Sequence, residues 1–350
     1  MYTAFYKLTG KPFQLSPDPR FFFGSRGHKR AMSYLRYGLS QGEGFIVITG
    51  GIGTGKTTLV RNLFAELDTG KVVAAQLVTS QLEADDMLTM VVAAFGLDYE
   101  GLSKAVLIKR LEDFLASSTR AGKRVLLVVD EAQNLPAKTL EELRMLSNFQ
   151  ISDKPLLQSF LLGQEEFRAT LQSSGLEQLR QRIIASCHLS ALSVQETRDY
   201  VEHRLRVVGW QQDPRFSDDA FEVIHTLTEG VPRRINVLCD RILLFGFLEE
   251  LHEFDRLTVK QVGKELSEEL PAVVGQQRPV GNASSPTAAA ADQLEHSVPA
   301  LDTGWMGAGE GPGLSSLERR VEALERTSEA MRKGFVQLTR LVRSLAAREG

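Results

Sequence analysis

One short segment constrains the fold of this chain more than any other. Residues 50–57 read GGIGTGKT, which matches the spacing G-x-x-x-x-G-K-[ST] at every fixed position. An apolar run at 45–49 precedes the segment, and an amphipathic helical pattern at 56–67 follows it. Between a strand and a helix, such a loop directs its backbone N–H groups inward, and the helix N-terminus adds positive potential. The segment therefore predicts a phosphate-binding loop in an α/β domain.

The loop predicts a site for a nucleoside triphosphate and Mg²⁺. We expect Lys56 to reach the β- and γ-phosphates and the Thr57 hydroxyl to ligate Mg²⁺. The residues predicted to bind ATP are Gly50, Gly51, Ile52, Gly53, Thr54, Gly55, Lys56, Thr57 and Thr58, together with Asp130.

Two acidic residues end a second apolar run, at 125–129. Strand ends in a parallel sheet line the crevice where ligands bind, so Asp130 is expected to hold Mg²⁺ through water. Glu131 is expected to orient and deprotonate the attacking water, a role that a hydrolase needs and a pure binding protein does not. The alternative is that both acids merely end the strand in solvent.

Four further polar residues are candidates for a catalytic role. Gln164 follows the next apolar run and is expected beside the γ-phosphate if its strand lies between the other two. Arg180 or Arg182 would stabilise transition-state charge on a neighbouring subunit's nucleotide. Arg233 or its neighbour would face back toward the phosphates from a helix that begins with Gly and Pro. For each of them the alternative is a solvated surface side chain.

The apolar pattern divides the chain into four regions. Strands at 45–49, 72–78, 125–129, 157–162 and 183–189 alternate with helices at 56–67, 82–95, 105–115, 138–146 and 164–171, which predicts a covered parallel sheet over 1–190. Strand patterns stop after Ser193, and capping boxes at Ser193 and Thr258 with a cap at Ser217 predict a small helical domain at 191–270. The remainder, 271–350, has a different composition.

The last 80 residues predict a linker followed by a coiled coil. Between 271 and 313, 23 of 43 residues are Gly, Pro, Ala or Ser, which is typical of a disordered linker. At 314–347, apolar residues recur at steps of three and four, and nine of ten seam positions are apolar. We expect this segment to bind a partner helix or a second copy, the alternative being a helix docked on its own globular domain.

Composition excludes several classes of protein. Lys and Arg number 41 against 44 Asp and Glu, so a globally basic nucleic-acid binder is excluded. Two cysteines, Cys187 and Cys239, make no disulfide framework and read as buried thiols. Since no apolar leader or 18-residue apolar run occurs, the expected compartment is the cytoplasm. A local basic patch stays open, with Arg204, Arg206, Arg233, Arg234 and Arg241 as its candidates.

Taken together, these motifs resemble those of AAA+ (ASCE-type) P-loop ATPases. Over about 1–270, the segments KPFQLSPDPRFFF at 11–23, DEAQNL at 130–135 and LEELRMLSN at 140–148 resemble the ExeA/GspA-type secretion ATPases. The resemblance is strongest to the secretion ATPases encoded beside exosortase A in PEP-CTERM and exopolysaccharide loci. It implies a ring or dimer assembled through the AAA+ domain, with the N-terminal segment 1–43 on the adenine side.

The resemblance also implies a function. General-secretion relatives continue into a membrane span and a peptidoglycan-binding module, whereas a linker and heptad pattern stand here. A cytoplasmic ATPase that drives or regulates assembly of a secretion or polysaccharide-export system is therefore expected, reaching the inner membrane only through a partner. The alternatives are a DNA-associated ATP switch of the transposition-regulator or initiator type and a non-enzymatic scaffold.

Overall fold

The computed structural model describes residues 1–78, 83–152 and 154–269. The predicted linker at 271–313 and the predicted coiled coil at 314–347 lie outside the described residues.

A five-stranded parallel sheet forms the centre of the α/β region, as predicted. Its strands are β1 (Phe45–Gly50), β2 (Val72–Val78), β3 (Arg124–Asp130), β6 (Leu157–Gly163) and β7 (Ile183–Leu189), in the order β2-β3-β6-β1-β7. A two-residue antiparallel pair, β4 (Gln150–Ile151) and β5 (Lys154–Pro155), lies outside it. The three central strands are almost wholly buried, which explains their largely apolar sequence.

Helices cover both faces of the sheet because successive strand residues point to opposite sides. Phe45 and Val47 of β1 contribute to the core beneath α4 (Ala84–Ala94), α5 (Lys104–Arg120), α6 (Ala137–Leu146), α7 (Glu166–Gln172) and α8 (Glu177–Arg180). Ile46 and Ile48 contribute to the core beneath α2 (Arg26–Gln41) and α3 (Lys56–Glu66). Cys187 is buried with the second core, and Cys239 is buried in the helical region, as predicted for both thiols.

A third core holds the helical region together with the N-terminus. It comprises α9 (Val194–Val207), α10 (Asp218–Thr228), α11 (Pro232–Leu248) and α12 (Arg256–Glu269), and α1 (Tyr2–Phe5) packs against them. The capping box at Ser193 and Glu196 is confirmed, since both of its hydrogen bonds are present. No helix in the described ranges is long and apolar enough to cross a membrane.

Two expectations for the helical region were wrong. Strands do not stop after Ser193, because β8 (Arg215–Phe216) and β9 (Glu253–Phe254) form a short parallel pair. Thr258 does not cap the last helix: it lies inside α12, and its backbone N–H donates to Asp255 Oδ1 at 2.8 Å. A carboxylate three residues earlier satisfies that amide, so the helix begins before the predicted capping box.

The parallel register brings the functional motifs to one edge of the sheet. Thr49 of β1 lies opposite Gly163 of β6, and β3 ends at Asp130 beside them. All three strands run in the same direction, so the loops after them converge at their carboxyl ends.

Candidate nucleotide-binding site

The phosphate-binding loop follows β1 and enters α3. Gly53 and Gly55 have φ angles of +80° and +99°, in the left-handed region that favours glycine. A Cβ at Gly55 would lie 2.8 Å from His28 Nε2, so the close approach of α2 also requires glycine there. His28 is buried, and its ring contacts Ser25 Oγ through Nδ1 at 2.7 Å and the Thr54 carbonyl through Nε2 at 3.1 Å.

Lys56 lies folded within the loop. Its Nζ donates to the carbonyl oxygens of Gly50 at 2.8 Å and Gly51 at 3.1 Å. Burial lowers the pKa of the ammonium below its usual value, and the carboxylates of Glu131 and Asp130 oppose part of that shift. The cation is therefore held beside the loop amides, where a triphosphate would be bound.

Thr57 and Asp130 are brought together as predicted. The Thr57 hydroxyl donates to Asp130 Oδ2 at 2.9 Å, and the backbone N–H of Glu131 donates to Oδ1 at 3.0 Å. Burial raises the pKa of the Asp130 carboxyl, and the hydrogen bonds to its oxygens oppose that rise. One hydroxyl and one carboxylate fit Mg²⁺, which keeps several waters and takes its other ligands from nucleotide phosphates. Bound there, Mg²⁺ would neutralise phosphate charge.

Glu131 is held by two side-chain amides. Its Oε2 accepts hydrogen bonds from Gln133 Nε2 at 2.6 Å and Gln164 Nε2 at 3.2 Å. Burial alone would raise the pKa of this carboxyl, but the two amides and the Lys56 charge outweigh it and leave the pKa below its usual value. Glu131 itself has a φ of +56°, so the backbone turns sharply where the carboxylate is presented. The acids do not simply end the strand in solvent.

The sheet order explains the position of Gln164. β6 lies between β3 and β1, which is the strand order that the prediction required, and the Gln164 side chain reaches Glu131. Its position beside a γ-phosphate stays a prediction. Gln133 was missed by sequence reasoning. Its Oε1 accepts the backbone N–H of Gln164 at 3.0 Å, so one amide joins the ends of two strands. The signal was present in DEAQ, where a polar side chain follows the acidic pair by two positions.

A cavity of about 370 Å³ opens between the loop and the helical region. This volume suits a small molecule. The N-terminal segment 14–23 forms one wall, Ile52–Thr58 with Glu131 and Gln164 form another, and α9 and α11 complete it. Phe13 and Phe21 are buried, whereas Phe22 and Phe23 are half-buried, and Phe21, Phe22 and Phe23 line the cavity.

Arg233 lies at the cavity and Arg234 does not contribute to it. The backbone N–H of Arg233 donates to the Gly53 carbonyl at 3.2 Å, which places the start of α11 against the loop. Its guanidinium lines the cavity without a hydrogen bond or ion pair to any described residue. Arg234 instead pairs with Glu229 at 2.5 Å.

The other two predicted arginines lie away from this chain's cavity. The Arg182 carbonyl accepts the Phe45 N–H at the opposite end of β1, and its Nη1 donates to Ser147 Oγ at 2.7 Å. Arg180 Nη1 donates to the carbonyl oxygens of Leu171 at 2.7 Å and Ser173 at 2.9 Å. Action on a neighbouring subunit's nucleotide stays a prediction for both.

The candidate basic patch does not form. Arg204 is only 6% exposed, and its guanidinium donates hydrogen bonds to groups within the protein. Three further candidates are paired with carboxylates, namely Arg206 with Glu202, Arg234 with Glu229 and Arg241 with Glu269. The partner of Arg206 lies one turn earlier on the same helix, whereas the partner of Arg241 is decided by the packing of α11 against α12.

Comparison with known proteins agrees with this geometry. Residues 39–171 match the profile of the family described as AAA domain. The match covers the part of the chain that contains four of the five strands of the central sheet. The AAA domain therefore contains the phosphate-binding loop, the acidic pair and Gln164, whereas Arg180, Arg182 and Arg233 lie beyond the matched residues.

One curated relative extends the similarity. Over 256 residues, the chain is 41% identical to general secretion pathway protein A of Aeromonas hydrophila, an alignment that covers 72% of this chain. The same alignment covers 46% of the relative, so the chain spans about half of that protein's length.

Solved structures agree on the fold. The Aeropyrum pernix ORC2 protein superposes with a TM-score of 0.57 at 18% identity, covering 75% of this chain and 74% of that one. Cdc6p from Pyrobaculum aerophilum gives 0.53 at 16% identity, covering 73% and 70%. Drosophila ORC bound to DNA gives 0.52 at 16% identity, covering 77% and 65%. At these identities the likeness establishes a P-loop NTPase fold around the AAA domain.

Proposed function

We propose that this protein binds and hydrolyses ATP with Mg²⁺, and that its nucleotide cycle drives or regulates assembly of a secretion or exopolysaccharide-export system. The hydrolytic part rests on one observation above all. The Glu131 carboxylate stands at the cavity, ionised and aimed by the amides of Gln133 and Gln164, beside the Thr57–Asp130 pair. A carboxylate so placed serves as the base that orients and deprotonates water.

The other residues have complementary roles in this proposal. Lys56 and the loop amides bind the phosphates, with Thr57 and Asp130 on the Mg²⁺ side. Arg233, at the start of α11, senses the γ-phosphate from the helical region, and Gln164 positions the attacking water. Arg180 or Arg182 would act on the nucleotide of a neighbouring copy, since neither reaches the cavity of its own chain.

Glu131→Gln tests the hydrolytic role. It keeps the shape of the side chain and removes the base, so we expect ATP turnover to fall by a factor of about 10²–10⁴ while ATP binding persists. Glu222→Gln makes the same chemical change on the exposed surface of α10 and should leave turnover unchanged. Equal turnover by the two variants, measured as phosphate release, would refute the proposed base.

The secretion role rests on the similarity to general secretion pathway protein A. In this proposal the AAA domain assembles copies of the chain, and the predicted coiled coil at 314–347 binds a protein partner of an exosortase-associated export machinery at the inner membrane, with the ATPase itself cytoplasmic. Light scattering on Glu131→Gln protein, full-length and ending at residue 270, tests the assembly. ATP should raise the measured mass of both forms. A mass that is unchanged by ATP and lower in the truncated form would assign assembly to the C-terminal segment.

A DNA-associated ATP switch is the competing hypothesis. It predicts affinity for duplex DNA that falls steeply with salt. Four of its five candidate arginines are engaged within the protein, which disfavours it. Gel shifts at two salt concentrations separate the two hypotheses.

A further inference from the structure

Besides the phosphate-binding loop, the cavity has both apolar and polar walls. Phe21, Phe22 and Phe23 line it from the N-terminal segment, and Tyr200 and Asn236 line it from α9 and α11. Since the loop would bind the phosphates, the base and ribose of a nucleotide would lie against these other walls. A polar group on these walls is therefore in a position to select the nucleoside.

A buried arginine sets the polarity of this region. Arg204 has hydrogen-bond donors only. Its Nε donates to the Pro12 carbonyl at 2.6 Å, its Nη2 to the Gln14 carbonyl at 3.1 Å and its Nη1 to the Tyr200 hydroxyl at 2.9 Å. The guanidinium also lies over the Phe21 ring, 4.7 Å from its centroid. One side chain thus holds the N-terminal wall of the cavity and directs a donor at Tyr200.

The Tyr200 hydroxyl links Arg204 to Asn236 by hydrogen bonds. Because its oxygen accepts from Arg204, the Tyr200 hydroxyl has its proton free to donate, and Asn236 Oδ1 accepts it at 2.8 Å. The amide of Asn236 is thereby oriented, with its oxygen toward Tyr200 and its NH₂ group on the other side. A flipped amide would place two donors against the hydroxyl and leave the hydroxyl proton unpaired.

The remaining donor of Asn236 is unused within the protein. Asn236 is 7% exposed and lines the cavity, and no group in the described ranges accepts a hydrogen bond from its Nδ2. Such a donor is free to bind an acceptor that a ligand in the cavity supplies. Asn236 lies one helical turn after Arg233, on the helix whose start contacts the loop.

We propose that Asn236 is a specificity-determining residue that donates from Nδ2 to an acceptor of the bound nucleoside, a purine ring nitrogen or a ribose oxygen. Tyr200 and Arg204 act through it as positioning residues. The inference rests on the proposed ATP site and adds the group that reads the nucleoside. It also explains why Arg204 is buried: the same guanidinium fixes the N-terminal wall and the donor orientation.

Binding of ATP analogues to the full-length chain tests this assignment. The Glu131→Gln protein with Mg²⁺ is titrated with ATP and with 1-deaza-, 3-deaza-, 7-deaza-, 2′-deoxy- and 3′-deoxy-ATP, each of which lacks one acceptor. One analogue should bind about five- to tenfold more weakly than ATP, the loss expected for one hydrogen bond. Which analogue it is distinguishes a base nitrogen from a ribose oxygen.

Asn236→Leu, made in the same protein, should abolish that discrimination, so that ATP and the analogue bind equally. Asn148→Leu, at an exposed position after α6, is the control and should keep it. Tyr200→Phe leaves Asn236 in place but frees its amide to rotate, so the ratio of the two affinities should fall toward one. A merely structural role for Tyr200 would weaken both nucleotides equally and leave the ratio unchanged.

Melting temperatures of the variants show whether each one folds. The inference is overturned if the protein that retains Asn236 binds all five analogues as tightly as ATP. It is also overturned if the Asn236→Leu variant still discriminates between ATP and the analogue. Failure of the proposed hydrolysis is distinguishable, because binding is measured without turnover. Failure of ATP to bind at all would overturn both.

Discussion

Replacing Arg204 with Met tests whether this buried cation holds the N-terminal segment on the helical region. Arg204→Met keeps a long, flexible side chain of similar reach and removes every donor. Arg206, two residues later on the same helix, is mostly exposed and pairs with Glu202, so Arg206→Met is a matched control.

The expected cost follows from the groups that lose a partner. The Pro12 carbonyl and the Tyr200 hydroxyl lose donors in buried surroundings, and each loss costs about 1–3 kcal/mol. The half-buried Gln14 carbonyl can turn to water, so it adds little. With the lost contact to the Phe21 ring, the free energy of unfolding should fall by about 3–5 kcal/mol. Arg206→Met should cost less than about 1 kcal/mol.

Tryptophan fluorescence during urea unfolding measures this difference. The chain has two tryptophans, Trp210 and Trp305. Trp210 packs against the core of the helical region and donates to the Pro214 carbonyl at 2.9 Å. In a Trp305→Phe background, Trp210 is the only reporter, and it reports on the core that Arg204 supports. The Arg204→Met midpoint should shift down by about 1–2 M urea, given m-values of about 3 kcal/mol/M.

Equal midpoints for the two arginine variants would refute the reasoning, because they would mean that the buried hydrogen bonds add nothing beyond a surface ion pair. Arg204→Lys sharpens the comparison. A lysine keeps the charge but cannot present the guanidinium's fork of donors, so its midpoint should lie between those of the wild type and Arg204→Met.

Two further predictions concern the phosphate-binding loop. Gly55→Ala places a Cβ on a residue with a φ of +99° and 2.8 Å from His28 Nε2, so it should lower the free energy of unfolding by about 1–3 kcal/mol and weaken ATP binding. Gly42→Ala is the control, because Gly42 has a φ of +75° but open space around its Cβ position. It should leave ATP binding intact in the same titration. Burial lowers the pKa of His28, outweighing the Thr54 hydrogen bond and the Glu196 charge, so the unfolded chain binds more protons below about pH 6.5 and stability falls as the pH drops through that value. His28→Gln should reduce the drop in melting temperature between pH 7.5 and 5.5, and an identical drop would contradict this assignment.

The elements of the α/β region were largely predictable from the sequence. The three central strands read as largely apolar runs because each is buried on two faces, and a helix between successive strands favours parallel pairing. The phosphate-binding loop and the acidic pair were also predictable, because their chemistry lies within a few consecutive residues. The cap of α12 at Asp255 was not predictable, because the nearby Thr258-x-x-Gln pattern also fits a capping box.

Tertiary packing decided how distant side chains meet. The sequence shows Arg204 and Arg206 as two similar cations on one helix, yet only Arg204 faces the N-terminal segment and becomes buried. Likewise, the sequence shows Gln133 only as a polar residue after the acidic pair, and its contact with Gln164 depends on the order of the strands in the sheet. Local motifs are determined by backbone geometry over a few residues. The partner of a buried polar group depends instead on which elements pack together, because only that packing decides which donors and acceptors lose water and must pair with one another.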